Sequence, residues 1–258
     1  VEAQIEEEEE LASHLWGRNA VLEALKSGRK IRRILVAKGV KPSATVSLLL
    51  ELAGQRGVRI VHLDRSELDR LSQTDAHQGI LAEAESLALF SLKQLFDSMA
   101  QKEEMPFVLA LDGITDPQNL GSLLRSAEGM GVHGVIFPQR RSAPISAAVA
   151  KASAGALEHL PLVRVTNLPR TLEELKKHGV WVVGTSDRAE KTCFETDLTG
   201  KIALVLGSEG KGMSRLVSEK CDLLVRIPMF GKISSLNVGV AGAILMYEVR
   251  RQRSQQRS

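Results

Sequence analysis

D116-P-Q-N-L-G-S-L-L-R-S-A-E-G-M-G-V-H-G134 lies between two apolar runs, Phe107–Leu111 and Val135–Phe137. The three segments read as strand, helix, strand. Leu120, Leu123, Leu124, Ala127 and Met130 recur at helical spacing and make one apolar stripe. Asn119 is a good N-cap, so the predicted helix is Leu120–Met130. The closing G129-M-G-V-H-G134 matches G-x-G-x-x-G as a string. A dinucleotide fingerprint, however, follows a strand and opens a helix, so that pyrophosphate meets the helix N-terminus. Here the glycines close a helix and lead into a strand, which is a C-cap and a turn. That context rejects a nicotinamide enzyme.

The same alternation continues outward. Strands are predicted at Leu162–Val165, Val180–Gly184, Ile202–Leu206 and Leu223–Ile227. Helices are predicted at Ala147–Leu157, Leu168–His178, Ser214–Glu219 and Ser235–Arg251. Apolar strands alternating with helices predict a mainly parallel sheet covered on both faces. Ligand sites of such sheets lie beyond the carboxyl ends of the strands. A smaller α/β series precedes this one. Its helices are Asn19–Lys26, Ser43–Gly54 and Ser66–Leu71, and its strands Ile31–Ala37, Val58–Leu63 and Gly79–Glu83. The expected organisation is an acidic, disordered leader over 1–13, a small domain over 14–85, a linker over 86–105 and a larger domain over 106–258.

The composition limits the function classes. Of the 258 residues 43% are hydrophobic, enough for a normal core, and no apolar run approaches the ~18 residues of a membrane span. The acidic start has the features of neither a signal nor a transit peptide. Six glutamates, Glu2 and Glu6–Glu10, crowd the first ten residues, so the rest of the chain is more basic than the net charge of +3 indicates. A basic body points to a polyanionic partner, nucleic acid first. Aromatic residues are only 3%, which leaves few platforms for base stacking. Two cysteines, Cys193 and Cys221, show no pairing or ligand pattern and read as reduced thiols of a cytoplasmic protein. No metal-ligand spacing and no nucleophile motif occurs, so metal and Ser-His-Asp chemistry are not supported.

Three clusters stand out at the predicted strand ends. On the first helix, Gly121, Ser122, Arg125, Ser126 and Gly129 face away from the apolar stripe. A solvated face does not need two glycines, each costing up to ~1 kcal/mol against alanine, so clearance for a ligand or a second chain around Arg125 is the favoured reading. L206-G-S-E-G-K-G-M-S214 follows a strand and precedes a helix. It is not a Walker A loop, because Lys211 is followed by Gly212, but it exposes backbone amides and the carboxylate of Glu209. I227-P-M-F-G-K-I-S-S-L-N-V-G-V-A-G-A243 is a strand end, a loop and a helix starting near Ser234 or Ser235. Its Gly239, Gly242 and Ala243 make a small-residue face suited to close packing.

Together the three clusters resemble the three motifs of the SpoU (TrmH-like) family of SPOUT-class methyltransferases. They are N119-L-G-S-L-L-R125-S-A127-E-G-M-G131, L204-V-L-G207-S-E209-G-K-G212, and I227-P-M with S235-L-N237-V. The resemblance covers about residues 107–253; Gly239 stands where many members have serine. The first domain, with W16-G-R-N-A-V-L-E-A and H77-Q-G79, resembles the family's L30e-like RNA substrate-binding domain. The resemblance implies a deep trefoil knot, a homodimer with its site at the interface, and S-adenosylmethionine as cofactor. It implies Thr185, Gly207, Ile227, Met229 and Leu236 as cofactor-binding residues and Asn119, Arg125, Glu209, Ser235 and Asn237 as catalytic ones, with no metal. V163-R-V-T-N-L168 and V249-R-R-Q-R253 are most similar to the subgroup that methylates a guanosine ribose of 23S ribosomal RNA. Transfer RNA is the alternative substrate, and a non-catalytic RNA-binding or ribosome-assembly protein is the alternative class.

Overall fold

The computed structural model describes residues 13–72, 74–233 and 235–256. Residues 1–12 of the expected acidic leader lie outside the described residues. The chain forms two compact units. The first runs to Ala88 and also takes in Pro144–His159; the second comprises Leu89–Ala143 and the chain from Leu160 onwards.

The first unit begins with β1 (His14–Trp16), α1 (Arg18–Ser27), β2 (Ile31–Ala37), α2 (Ala44–Gln55), β3 (Arg59–Leu63), α3 (Arg65–Ser72) and β4 (Ile80–Ala84). The sheet order is β1-β4-β2-β3. β2 and β3 run parallel, and β4 is antiparallel to β1 and β2. The sequence reading missed β1, which is three residues long and too short to show a period of two.

The second unit opens with α4 (Leu92–Ala100), β5 (Phe107–Asp112), α5 (Pro117–Gly129) and β6 (Gly134–Pro138). The segment expected as a linker therefore contains α4, started by a Ser91/Gln94 capping box, and its Leu95 and Met99 are buried in the core of this unit. The chain next contributes α6 (Ala147–Ala152) and a 3₁₀ turn at Ala156–Glu158 to the first unit. One helix was predicted over Ala147–Leu157. It is broken because Ala154 and Gly155 adopt positive φ of 52° and 89°. A buried ion pair, Arg29 to Glu158 at 2.6 Å, joins the two stretches of this unit.

Returning to the second unit, the chain forms β7 (Leu162–Val165), α7 (Leu168–Lys177), β8 (Trp181–Thr185), β9 (Lys191–Thr192), β10 (Ile202–Gly207), α8 (Arg215–Ser218), β11 (Leu223–Arg226) and α9 (Val238–Gln255). All seven strands are parallel, in the order β7-β6-β5-β10-β8-β11-β9. The two-residue edge strand β9 was not predicted. Alternate strand residues divide between two faces. Val108, Ala110, Ala203 and Val205 pack with Leu95, Leu172 and Leu175. Leu109, Leu111, Leu204 and Leu206 have the opposite parity and are also buried. On that opposite face α9 packs on α5: a Cβ on Gly242 would stand 2.4 Å from Leu123 Cδ2 and 2.8 Å from Leu206 Cδ1. Burial of Leu120, Leu123 and Leu124 on α5 stabilises this layer by about 1.5–3 kcal/mol per side chain.

Two helix starts differ from expectation. Asp116, not Asn119, caps α5, its carboxylate accepting from the Asn119 N–H at 2.7 Å. Asp-Pro is the stronger start signal, since Pro117 at N1 loses only a hydrogen bond that a first-turn residue cannot make. α9 begins at Val238 rather than near Ser235, and Asn237 is its cap. The glycine-rich exit of α5 is a helix terminus as read: Met130, Gly131 and Val132 donate back to Ser126, Glu128 and Ala127 carbonyls, and Gly131 takes φ 61°.

Candidate active site

The carboxyl ends of β5, β8, β10 and β11 carry the site. β10 ends at Gly207, and the chain turns back at once: Ser208 and Gly212 exchange backbone hydrogen bonds of 3.0 and 2.8 Å. The loop's exit is tied to β5, because the Asp112 carboxylate accepts from the Ser214 N–H at 2.6 Å. Asp112 escaped the sequence reading, although it lies at a strand end, because one aspartate there carries no spacing signal.

The tip of this loop meets the starts of α5 and α9. Asn237 Oδ1 accepts from the N–H groups of Gly239 (2.9 Å) and Val240 (3.3 Å). That leaves its amide nitrogen to donate to Asn119 Oδ1 at 2.8 Å and to Glu209 Oε1 at 3.4 Å. Asn119 Nδ2 in turn donates to Glu209 Oε2 at 3.1 Å. Three residues from three motifs thus close one hydrogen-bonded cluster. The helix cap sets which way the Asn237 amide points, and that sets the rest. The displacement of the α5 start to Asp116 is what frees the Asn119 side chain for this contact.

Beside the cluster lies a cavity of 560 Å³. Thr185, Gly207, Ile227, Met229 and Leu236, the five residues singled out for a cofactor, line it, together with Ser235 and Glu209. Its wall is apolar at Ile227, Leu236, Val238 and Leu245, and polar at the 207–212 loop and at Asp187, Arg188, Glu209, Lys211 and Arg226. This volume and mixture suit a nucleoside-sized ligand. Asp187 and Arg188 were not singled out from sequence, since neither belongs to a recognisable motif.

Arg125 stands apart. It is exposed, does not line the cavity, and has no hydrogen bond or ion pair among the described residues. It follows Asn119 by six residues, about 9 Å along the α5 axis. The reading of its flanking glycines is corrected in part. Gly121 is buried rather than on the open face, whereas a Cβ on Gly129 would have nothing within 4 Å.

The cysteines take no part. Cys193 is buried, and burial pushes its thiol above the usual range; burial pushes the Cys221 thiol up to about 12. Only a thiolate is nucleophilic, so both are inert. The native protein at pH 8 is expected to release no colour rapidly from an aromatic disulfide reagent and to react at both thiols in guanidinium; a fast native thiol would contradict this. Among the described residues no group of three His, Cys, Asp or Glu side chains could hold a metal, and no helix is long and apolar enough to cross a membrane.

Comparison with known proteins gives this geometry its context. The family profile described as "SpoU rRNA Methylase family" matches residues 106–247. The chain belongs to the SpoU rRNA methylase family. A second profile, "RNA 2'-O ribose methyltransferase substrate binding", matches residues 14–89. Among relatives of this SpoU chain, YacO of Bacillus subtilis, assigned to the TrmH family of tRNA/rRNA methyltransferases, is 47% identical over 93% of the chain and 96% of its own length. The 23S rRNA (guanosine-2'-O-)-methyltransferase RlmB of Pseudomonas aeruginosa is 44% identical over 88% and 90%. The solved structure of the SpoU methyltransferase AviRb from Streptomyces viridochromogenes in complex with the cofactor AdoMet superimposes with a TM-score of 0.78, at 26% identity, covering 94% of this chain and 90% of AviRb.

Proposed function

We propose that this SpoU-family chain is an S-adenosylmethionine-dependent RNA 2′-O-ribose methyltransferase, and that its substrate is a guanosine of 23S ribosomal RNA. The observation that carries the reaction is the Asn119–Glu209–Asn237 cluster, whose Glu209 lines the same cavity as all five cofactor candidates. The guanosine assignment is supported by similarity to RlmB and by the 163–168 and 249–253 stretches. A non-catalytic protein of this fold would have no use for a complete cluster of this kind.

When bound, S-adenosylmethionine supplies a methyl group activated by the sulfonium charge. Gly207, Ile227, Met229 and Leu236, together with Thr185, would hold the nucleoside end through backbone groups and apolar contact. Glu209, fixed by both asparagines, is placed to orient the ribose and to favour positive charge near it. Ser235 adds a hydroxyl at the same wall. Alignment of the 2′-oxygen with the methyl carbon at ~3 Å is worth several kcal/mol. The 2′-oxygen would gain the methyl group as the carbon–sulfur bond breaks to leave a neutral thioether, and the hydroxyl proton would pass to solvent water. Arg125 is assigned to that oxygen and the adjacent phosphate. With a pKa above ~12 it acts as a fixed positive charge that stabilises the developing alkoxide, rather than as a proton acceptor.

The same reading includes a homodimer and the trefoil knot implied by the family. Arg125 does not line the cavity of its own chain, and Phe230 and Ile233 beside the cavity loops are 95% and 74% exposed. Both features fit a site completed by a second copy. Gly207, Ile227, Met229 and Leu236, which line the cavity, lie in the loops that the family likeness places in the knot.

The test is to map 2′-O-methyl groups in ribosomal and transfer RNA from cells with and without the gene. Loss of one guanosine mark in 23S ribosomal RNA is the expected result. Loss of a transfer RNA mark instead would move the substrate assignment. An unchanged map together with no S-adenosylmethionine binding by calorimetry would overturn the reaction.

A further inference from the structure

Residues 208–214 carry Glu209 and one wall of the cavity. Residues 209–212 are exposed, and Gly210 and Gly212 adopt φ of 78° and 68°, so little in the stretch itself fixes its shape. The shape is imposed from β5. Asp112 ends that strand and pairs in parallel register with Gly207, the last residue of β10. Its carboxylate accepts from the Ser214 N–H at 2.6 Å. One residue therefore stands beside the point where the loop leaves the sheet and bonds the point where it ends. Gly113, at φ 82°, turns the chain close over the loop: a Cβ there would stand 3.5 Å from Ser208 Cβ. Met213 makes a third attachment, since a Cβ on Gly184 of β8 would stand 2.7 Å from Met213 Cε.

Nothing else takes over this bond. Ser214 precedes α8, so its N–H has no acceptor within the helix, and Asp112 is its one acceptor among the described residues. Bonds from an N–H to a carboxylate are short and strong. Asp112 does not line the cavity, so it acts on a bound molecule through the loop and not by touching it. Seven residues further on, Asn119 Nδ2 donates to Glu209 Oε2 at 3.1 Å. The segment joining β5 to α5 thus grips the loop twice, at its exit through Asp112 and at its tip through Asn119.

We propose that Asp112 is a positioning residue of the reaction: by holding the Ser214 N–H it sets the cavity wall that S-adenosylmethionine meets and the place of Glu209. The inference rests on the RNA methyltransferase reading. What the loop needs at position 112 is an acceptor oxygen, and the negative charge is not required.

The test measures S-adenosylmethionine affinity by calorimetry on the protein without RNA, then kcat and KM with unmodified 23S ribosomal RNA transcribed in vitro. Asp112→Ala is expected to weaken cofactor binding about 10–30-fold, the worth of one bond to a charged group. Displacement of Glu209 should lower kcat about 10-fold, with KM for RNA within twofold of wild type. Asp112→Asn keeps an oxygen acceptor in the same place and should bring affinity and kcat back to within threefold. Ser214→Pro removes the donor instead, at a residue whose φ of −64° is already the value proline imposes. It should reproduce the alanine losses, and the double variant Asp112→Ala/Ser214→Pro should lose no more than either alone, because both remove one bond. Asp197→Ala is the control: Asp197 accepts from the Thr199 N–H at 2.9 Å in a loop that does not line the cavity, and its loss should leave affinity and kcat within twofold. Should Asp112→Ala not fold, Ser214→Pro set against Asp112→Asn decides the same point. Wild-type affinity and kcat on losing either partner, an asparagine variant as weak as the alanine one, losses that multiply in the double variant, or a control that loses as much would each overturn the positioning role and leave the reaction intact. A wild-type protein that binds no S-adenosylmethionine would overturn the reaction, and the role of Asp112 with it.

Discussion

Arg125→Ala is expected to lower methyl transfer to RNA by about 10³-fold while the folded protein and its cofactor affinity stay as they were. Removal of a single donor aimed at a developing oxyanion costs roughly 10²–10³ in rate, and this arginine is assigned the adjacent phosphate as well. The side chain is exposed and without a partner among the described residues, so its loss should change stability by no more than about 0.5 kcal/mol. It does not line the cavity, so S-adenosylmethionine affinity measured by calorimetry should stay within twofold. Arg125→Lys keeps the charge and loses the planar fork, and it should recover part of the rate. Labelled-methyl incorporation, with light scattering to show that the oligomeric state is unchanged, checks all of this. Near-wild-type transfer by the alanine variant would remove Arg125 from the mechanism.

Gly207→Ala should act on the fold of the site itself. Gly207 is the last residue of β10, and the loop it begins closes back on it through the Ser208–Gly212 pair. A Cβ at Gly207 would stand 2.0 Å from the Gly212 carbonyl carbon, 2.1 Å from the Met213 nitrogen and 2.5 Å from the Gly212 oxygen. All three are backbone atoms, so no side chain can swing aside. The 208–213 loop would have to move as a body, and it carries Glu209 and a wall of the cavity. Cofactor affinity is expected to fall at least about 100-fold, with unfolding free energy lower by about 1–3 kcal/mol, the usual range for overpacking. Gly129→Ala supplies the comparison. Its Cβ would meet nothing within 4 Å, and alanine favours a helix over glycine by up to about 1 kcal/mol, so that variant should be neutral or slightly more stable. A Gly207→Ala protein with wild-type affinity would show that the loop does not need the close approach seen here.

The main architecture was legible because burial imposes periods on a sequence. Strands such as Phe107–Asp112 are covered on both faces and read as unbroken apolar runs, and α5 and α7 show their apolar stripes directly. Elements that bury little were lost: β1 and β9 span three and two residues and leave no pattern. The order of strands in the sheet is likewise absent from local periodicity, because pairing depends on contacts between segments far apart in the chain.

The candidate site divides along the same line. Residue types and spacing drew attention to Arg125 and Glu209, the family resemblance added Asn119, Ser235 and Asn237, and the glycine run at 129–134 read correctly as a helix exit because its order relative to helix and strand is a local matter. Both helix starts lie elsewhere than expected. Asn119 and Ser235 are each good caps in isolation, but Asp116 followed by Pro117 starts α5 and Asn237 caps α9. That choice decides the chemistry. With Asp116 capping α5, the Asn119 amide is released to meet Asn237 and Glu209, which lie 118 and 90 residues further along the chain. The sequence contained the side chains; their convergence depends on three strand ends meeting at one edge of the parallel sheet, a long-range arrangement that no window of neighbouring residues can encode.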